Sequence, residues 1–161
     1  MQLFILDYDP GNAARMLCDV HLRKMCLETA QILSSVICLR GKSLTPGMPK
    51  PYNLNHPVVQ ALNTPPKVEW TLYYNASLQQ EYRRRFEKEH AYSILVSEYE
   101  AVLSSGISIA DCTDWSFARD FKGIVIPEPD LVQAYRLYYR YKKRLIRKWK
   151  YTRCREPEWL N

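Results

Sequence analysis

The proline-rich segment 41–57, GKSLTPGMPKPYNLNHP, constrains the fold of this chain more than any other feature. It holds four prolines in seventeen residues, and proline interrupts both helices and central strands. Helix-periodic stretches flank it on both sides, so it predicts a loop that joins two long helices. It also contains Gly41-Lys42-Ser43, but Val36 stands where a phosphate-binding loop requires glycine, which excludes that motif.

Three long helices are predicted from hydrophobic periodicity and from capping residues at their starts. They are residues 13–39 after the N-cap Asn12, residues 65–103 after Thr64, and residues 131–151 after Asp130. We also expect a buried start at residues 3–6, a brief helix after Pro57 and a connector over 107–129. The sequence therefore predicts an all-α protein, a compact single domain over 1–161 of three principal helices with long loops.

Composition limits the class of protein. A chain of 161 residues, 47% hydrophobic and 25% charged, is long enough for one domain with a core. No apolar run approaches the ~20 residues of a membrane span, and the start MQLFILDYDP lacks the basic region of a signal peptide. The five cysteines show no C-x-x-C spacing, which favours reduced thiols in a cytosolic protein over disulfides or a zinc site.

The positive charge is concentrated in one segment. The net charge is +6, yet residues 131–155 hold ten Lys or Arg and no acid, while the rest has 13 basic and 17 acidic residues. Such a basic segment is typical of proteins with a polyanionic partner. A solvated amphipathic helix and a helix on an anionic membrane surface are the alternatives.

Helical spacing gives the last helix one basic face and flanking tyrosines. We expect that face to neutralise phosphates and the tyrosines to stack on bases. The predicted binding residues of this helix are Tyr135, Arg136, Tyr139, Arg140, Lys143 and Arg147.

A polar stripe lies on the first long helix. At about 100° per residue, His21, Lys24, Glu28 and Gln31 fall within an arc of roughly 80°. An imidazole, an amine, a carboxylate and an amide in one place suit acid–base chemistry. The alternative for Lys24 and Glu28 is an exposed i, i+4 ion pair, worth about 0.3–0.5 kcal/mol and without functional meaning.

Each of the three histidines has polar neighbours, which suggests one convergent site combining acid–base groups with cationic clamps. Its predicted members are His21, Lys24, Glu28, Asn55, His56, Arg85, Lys88 and His90. A three-histidine metal site is the alternative, but no pair has metal-ligand spacing such as H-x-x-x-H, so we predict none.

Five stretches carry a resemblance: LDYDP, CDVHLRKMCLETAQ, NHP, EYRRRFEKEH and AYRLYYRYKKRLIRKWK with the closing PEWL. In this order they resemble a group of small, mostly phage-encoded proteins related to the pyrimidine-dimer DNA glycosylase of the endonuclease V type. The resemblance implies a compact all-α domain that uses an N-terminal α-amine as nucleophile on the sugar C1′. It also implies that Glu28 is the catalytic carboxylate and His21 a DNA contact. Because this chain begins Met1-Gln2, the implied amine is that of Met1.

The lead expectation is a DNA-binding glycosylase or AP-lyase-like protein acting on a damaged or modified base, without a metal or organic cofactor. A non-catalytic nucleotide or nucleic-acid binder, for example one that counters a host defence, is an alternative. A DNA-base-modifying transferase is another. We expect a nucleic acid or nucleotide as partner, no membrane, and a cytoplasmic location, in the host cell if the protein is phage-encoded. The sequence predicts neither the lesion nor the oligomeric state.

Overall fold

A computed structural model describes residues 2–161, and within that range the chain is helical without any strand. This confirms the all-α prediction. The three longest helices are α2, α4 and α6. Among the described residues, the α-helices are α1 (Pro10–Arg15), α2 (Asp19–Leu39), α3 (Pro57–Gln60), α4 (Pro65–Phe86), α5 (Val96–Leu103) and α6 (Leu131–Leu145). In the described part of the chain, no helix has the length and apolarity to cross a bilayer.

The first predicted helix is wrong in two respects. It begins at Pro10 rather than after an N-cap at Asn12, and a break at residues 16–18 divides it into α1 and α2. The N-cap of α1 is Asp9, whose carboxylate accepts from the Asn12 amide at 2.7 Å. The Arg85 guanidinium donates to the carbonyls of Arg15 and Leu17, each at 2.7 Å, and so supplies hydrogen bonds to the backbone at the break. Residues far along the chain therefore stabilise a break that local periodicity does not predict.

The second and third predicted helices are also too long. Glu87 adopts the left-handed conformation (φ 52°) and ends α4, so that α5 begins only at Val96. Helix α6 ends at Leu145, because Ile146 is extended and the chain turns back. The Lys143 ammonium and the Trp149 indole N–H both reach the Glu156 carboxylate, at 2.9 Å each, and hold the turned segment on the helix.

The core joins the chain start to the long helices. Residues 3–6 are buried, as predicted, against apolar side chains of α2, α4 and α6. Trp70 and Tyr74 of α4 stack with ring centroids 4.9 Å apart, and both are fully buried. The buried start thus lies beside the first turns of α2, which carry the predicted polar stripe.

The connector after α5 is irregular and is fixed at two points. The Lys67 ammonium, 1% exposed, lies 2.7 Å from the Asp114 carboxylate and 2.8 Å from the Ser116 hydroxyl. Further on, the buried Phe121 ring packs on Tyr138, with centroids 5.0 Å apart. These anchors bring residues 120–122 close to α2 and α6.

Candidate active site

A small pocket of about 80 Å³ opens where the chain start, α2, the connector and α6 meet. The start contributes apolar and amide groups, α2 contributes the polar stripe, and the two later segments add cations and a tyrosine. The lining residues are Gln2, Phe4, His21, Lys24, Glu28, Lys122, Tyr138 and Lys142.

Glu28 is the one carboxylate among these lining residues. Its side chain is 15% exposed, and one oxygen lies 3.3 Å from the ammonium of Lys24, which is itself largely exposed. The pair therefore has the predicted i, i+4 geometry, but its acidic member lies at the wall of a pocket. A largely shielded carboxylate can accept or deliver a proton, or stabilise a positive charge that develops on a substrate.

His21 lies one helical turn from Lys24 and is 5% exposed. Burial, with the nearby ammonium groups of Lys142 and Lys24, lowers the pKa of His21 to about 3. The Tyr139 oxygen accepts from the Cys18 amide at 2.8 Å and lies 2.9 Å from His21 Nδ1. The Tyr139 hydroxyl is thus free to donate to Nδ1, which leaves the proton of a neutral imidazole on Nε2.

The rest of the pocket is suited to an anion. Three lysines, Lys24, Lys122 and Lys142, line it together with the one carboxylate. The Gln2 side chain is buried, and neither its amide nitrogen nor its oxygen has a hydrogen-bond partner within the described residues. A buried polar group without a partner is costly, so the amide is poised for a bound molecule or for solvent.

His56 stands behind this pocket. Its Nδ1 accepts from the Val58 amide at 3.2 Å, and its Nε2 lies 3.7 Å from an Asp120 oxygen. The same Asp120 oxygen is 2.5 Å from the Lys122 ammonium, which lines the pocket. His56 is therefore linked to the site through Asp120 and Lys122.

The other members of the predicted convergent site lie elsewhere. Arg85 is 1% exposed and bonded to Glu81 and Asp19. His90 packs against Tyr82, with ring centroids 5.0 Å apart. The remaining two members are exposed Asn55 and Lys88, and both are absent from the lining of this pocket; Lys88 lines a separate surface groove near the end of α4. Half-buried Gln31, the fourth residue of the polar stripe, is also absent from the lining. The structure thus brings together His21, Lys24 and Glu28, with His56 behind them.

The predicted basic face of α6 is largely engaged with the protein's own chain. Arg136 donates to the Leu6 carbonyl and pairs with Asp7, Arg140 donates to the Trp159 carbonyl, and Lys143 pairs with Glu156. Both tyrosines predicted to stack on bases, Tyr135 and Tyr139, are fully buried, and Arg147 lies beyond the end of the helix. A role in nucleic-acid binding for these residues stays a prediction.

Sequence reasoning missed five lining residues. Tyr138 and Lys142 are one turn apart on α6, so their spacing predicts a shared face, but the strongest basic pattern of this helix lies on a different face. Gln2, Phe4 and Lys122 come from irregular segments, where no periodicity indicates which side chains meet. The predicted nucleophile, the α-amine of Met1, lies outside the described residues, although Gln2 beside it lines the pocket.

A protein-family model described as pyrimidine dimer DNA glycosylase matches residues 1–93. The chain belongs to this family. The match includes the chain start, α2 and α4, and thus Gln2, His21 and Glu28, but it ends before Lys122 and Lys142. Searches of curated proteins and of solved structures found no significant match. Within the described residues there is no group of three His, Cys, Asp or Glu side chains that could hold a metal ion.

Proposed function

We propose that this protein is a DNA glycosylase with AP-lyase chemistry that acts at a damaged or modified base, and that Glu28 is its catalytic carboxylate. Membership of the pyrimidine dimer DNA glycosylase family supports the glycosylase class. The observation that carries the proposal is the pocket itself, in which Glu28 faces the chain start among three lysines. The expected partner is DNA, and a cytoplasmic site of action stays a prediction.

The chemistry begins with an amine nitrogen that forms a bond to the sugar C1′ while the glycosidic C1′–N bond breaks and the base leaves. Loss of the ring oxygen's bond to C1′ then gives an imine. Removal of a C2′ proton and departure of the 3′ phosphate break the strand. Glu28 is suited to transfer protons in these steps and to stabilise the positive charge of the imine.

The α-amine of Met1 is the nucleophile in this proposal. An α-amine has an unperturbed pKa of about 7.7–8.0, so a useful fraction is neutral near pH 7. The side chain of Lys24 is the other amine near Glu28, but in its 3.3 Å ion pair it acts as a cation. Lys24 is therefore better suited to hold a phosphate than to attack C1′.

Borohydride trapping tests this proposal directly. The protein is incubated with duplex DNA that contains either a pyrimidine dimer or an abasic site, with and without borohydride, and strand cleavage and covalent adducts are measured. We expect cleavage, and an adduct whose linkage mass spectrometry locates at the N-terminal amine. The absence of both cleavage and adduct on both substrates would overturn the proposal.

A non-catalytic nucleotide or nucleic-acid binder is the second candidate. The three lysines favour it, and so does the Gln2 amide, which has no partner among residues 2–161, because such groups bind an anion without any need for chemistry. Tight binding of a nucleotide by the wild-type protein, without any adduct on abasic DNA, would support this second candidate over the first.

A further inference from the structure

Lys122, which the irregular connector contributes to the pocket, has an unusual backbone conformation. Its backbone is in the left-handed region (φ 55°) and it precedes Gly123, which is also left-handed (φ 82°). A non-glycine residue in this region is uncommon and strained. The buried Phe121 before it anchors the turn, and the Lys122 side chain, 56% exposed, lines the pocket.

The Lys122 ammonium is hydrogen-bonded to a residue of its own turn, Asp120. Asp120 accepts from it at 2.5 Å, and the same carboxylate oxygen lies 3.7 Å from His56 Nε2. Burial lowers the pKa of His56, and its Nδ1 accepts from the Val58 amide, so the neutral ring carries its proton on Nε2, toward Asp120. Lys122 is thus hydrogen-bonded to Asp120, and His56 lies close enough to Asp120 for an electrostatic contact.

An ammonium group has three donors. Asp120 takes one of them, which leaves two for a second anion. Gln2, whose buried amide has no partner within the described residues, lines the same pocket. Two donors on Lys122 and the amide N–H groups of Gln2 match the several acceptor oxygens of a phosphate.

We propose that Lys122 binds a phosphate of the DNA strand beside the reactive sugar, with Asp120 and His56 as the residues that position it. This inference rests on the proposed function, since it takes DNA as the ligand. It goes beyond the family match, which ends at residue 93 and includes neither Lys122 nor Asp120.

Binding of uncleavable DNA separates this inference from the catalytic proposal. The probe is a duplex with a reduced abasic analogue that cannot form an imine, and its affinity is measured at several salt concentrations. We expect Lys122→Met to bind about tenfold more weakly and to flatten the log–log salt slope by about one, as for one lost phosphate contact. Lys122→Arg keeps the charge and should restore most of the affinity, and Asp120→Asn should weaken binding less than Lys122→Met does.

Lys42→Met is the matched control, because it removes the same charge beyond the far end of α2, whose last residue Leu39 lies about 16 Å along the helix from Glu28. There Lys42 donates to the Val102 carbonyl. Equal affinities and slopes for the two methionine variants would overturn the inference, and so would a failure of the wild-type protein to bind the duplex. If Lys122→Met weakens binding while the wild-type protein neither cleaves DNA nor forms an adduct, the phosphate site stands and only the catalytic proposal fails.

Discussion

The Nδ1 atom of His21 lies 2.9 Å from the hydroxyl oxygen of Tyr139, and both side chains are buried. The contact joins α2 to α6 at the wall of the pocket, across 118 positions of sequence. Both residues were expected to contact DNA, yet each already has a partner within the protein. His21 can still donate from Nε2, whereas Tyr139 acts on a ligand only through the imidazole that it orients.

The depressed pKa of His21 predicts that stability falls in acid. The unfolded chain binds a proton on His21 below about pH 6.5, whereas the folded protein does so only near pH 3. The contribution of His21 to the free energy of unfolding is therefore fully present above pH 6.5 and is lost as the pH falls toward 3. Over that range the free energy of unfolding changes by up to about 1.4 kcal/mol per pH unit. Urea unfolding from pH 7 to pH 4 should show a steeper loss for the wild-type protein than for His21→Gln. Parallel curves would contradict the assignment.

Replacement of Arg85 should destabilise the protein strongly. Arg85→Met leaves the buried carboxylate of Asp19 without its cation and the carbonyls at the α1–α2 break without these donors. Glu81 loses one of its two cations and keeps Arg84. We expect the free energy of unfolding to fall by about 3–5 kcal/mol in urea titrations, as for other broken buried pairs.

Arg83→Met is the control for Arg85, because the Arg83–Glu89 pair is exposed and pairs of this kind contribute about 0–1 kcal/mol. Equal losses in the two variants would show that Arg85 does not stabilise the break. A loss of DNA affinity in Arg85→Met with unchanged stability would instead favour the predicted binding role.

The basic face of α6 makes a separate prediction about DNA affinity. If Arg140, Lys143 and Arg147 contact phosphates, their joint replacement by Ala should weaken duplex binding and flatten the salt slope by about one unit per lost contact. Because two of the three already bind Trp159 and Glu156, we expect a smaller change in slope than three units. An unchanged slope would remove this face from the interface.

The sequence predicts where the long helices lie, because apolar periodicity and capping residues are local, but it does not predict where each helix breaks or ends. Asp130, for instance, caps α6 as expected and accepts from the Gln133 amide at 2.8 Å. The breaks at residues 16–18 and at Glu87 could not be predicted in the same way. The first depends on Arg85, about 70 positions away, and the second on one left-handed residue that is not glycine.

The residues of the candidate site likewise fall into a group that local spacing predicts and a group that depends on tertiary packing. His21, Lys24 and Glu28 share a helix face, so their spacing was enough to group them. The contributions of Lys122 and Lys142 depend on how the connector and α6 pack on α2, which is tertiary information. Arg85 and His90 lie in a stretch of sequence as polar as the one that lines the candidate pocket, but burial and aromatic packing give them other neighbours.

The central claim is that Glu28 is the catalytic carboxylate, and the Glu28→Gln variant tests it most directly. The measurement is the single-turnover rate of strand cleavage on abasic duplex DNA, alongside binding of the uncleavable analogue, with exposed Glu100→Gln as the matched control. The substitution keeps the size of the side chain and removes its charge. We predict a rate at least about 100-fold lower than that of the wild-type protein, as for a lost acid–base group, with little change in binding and none in the control. Equal cleavage rates for wild type and Glu28→Gln would contradict the account.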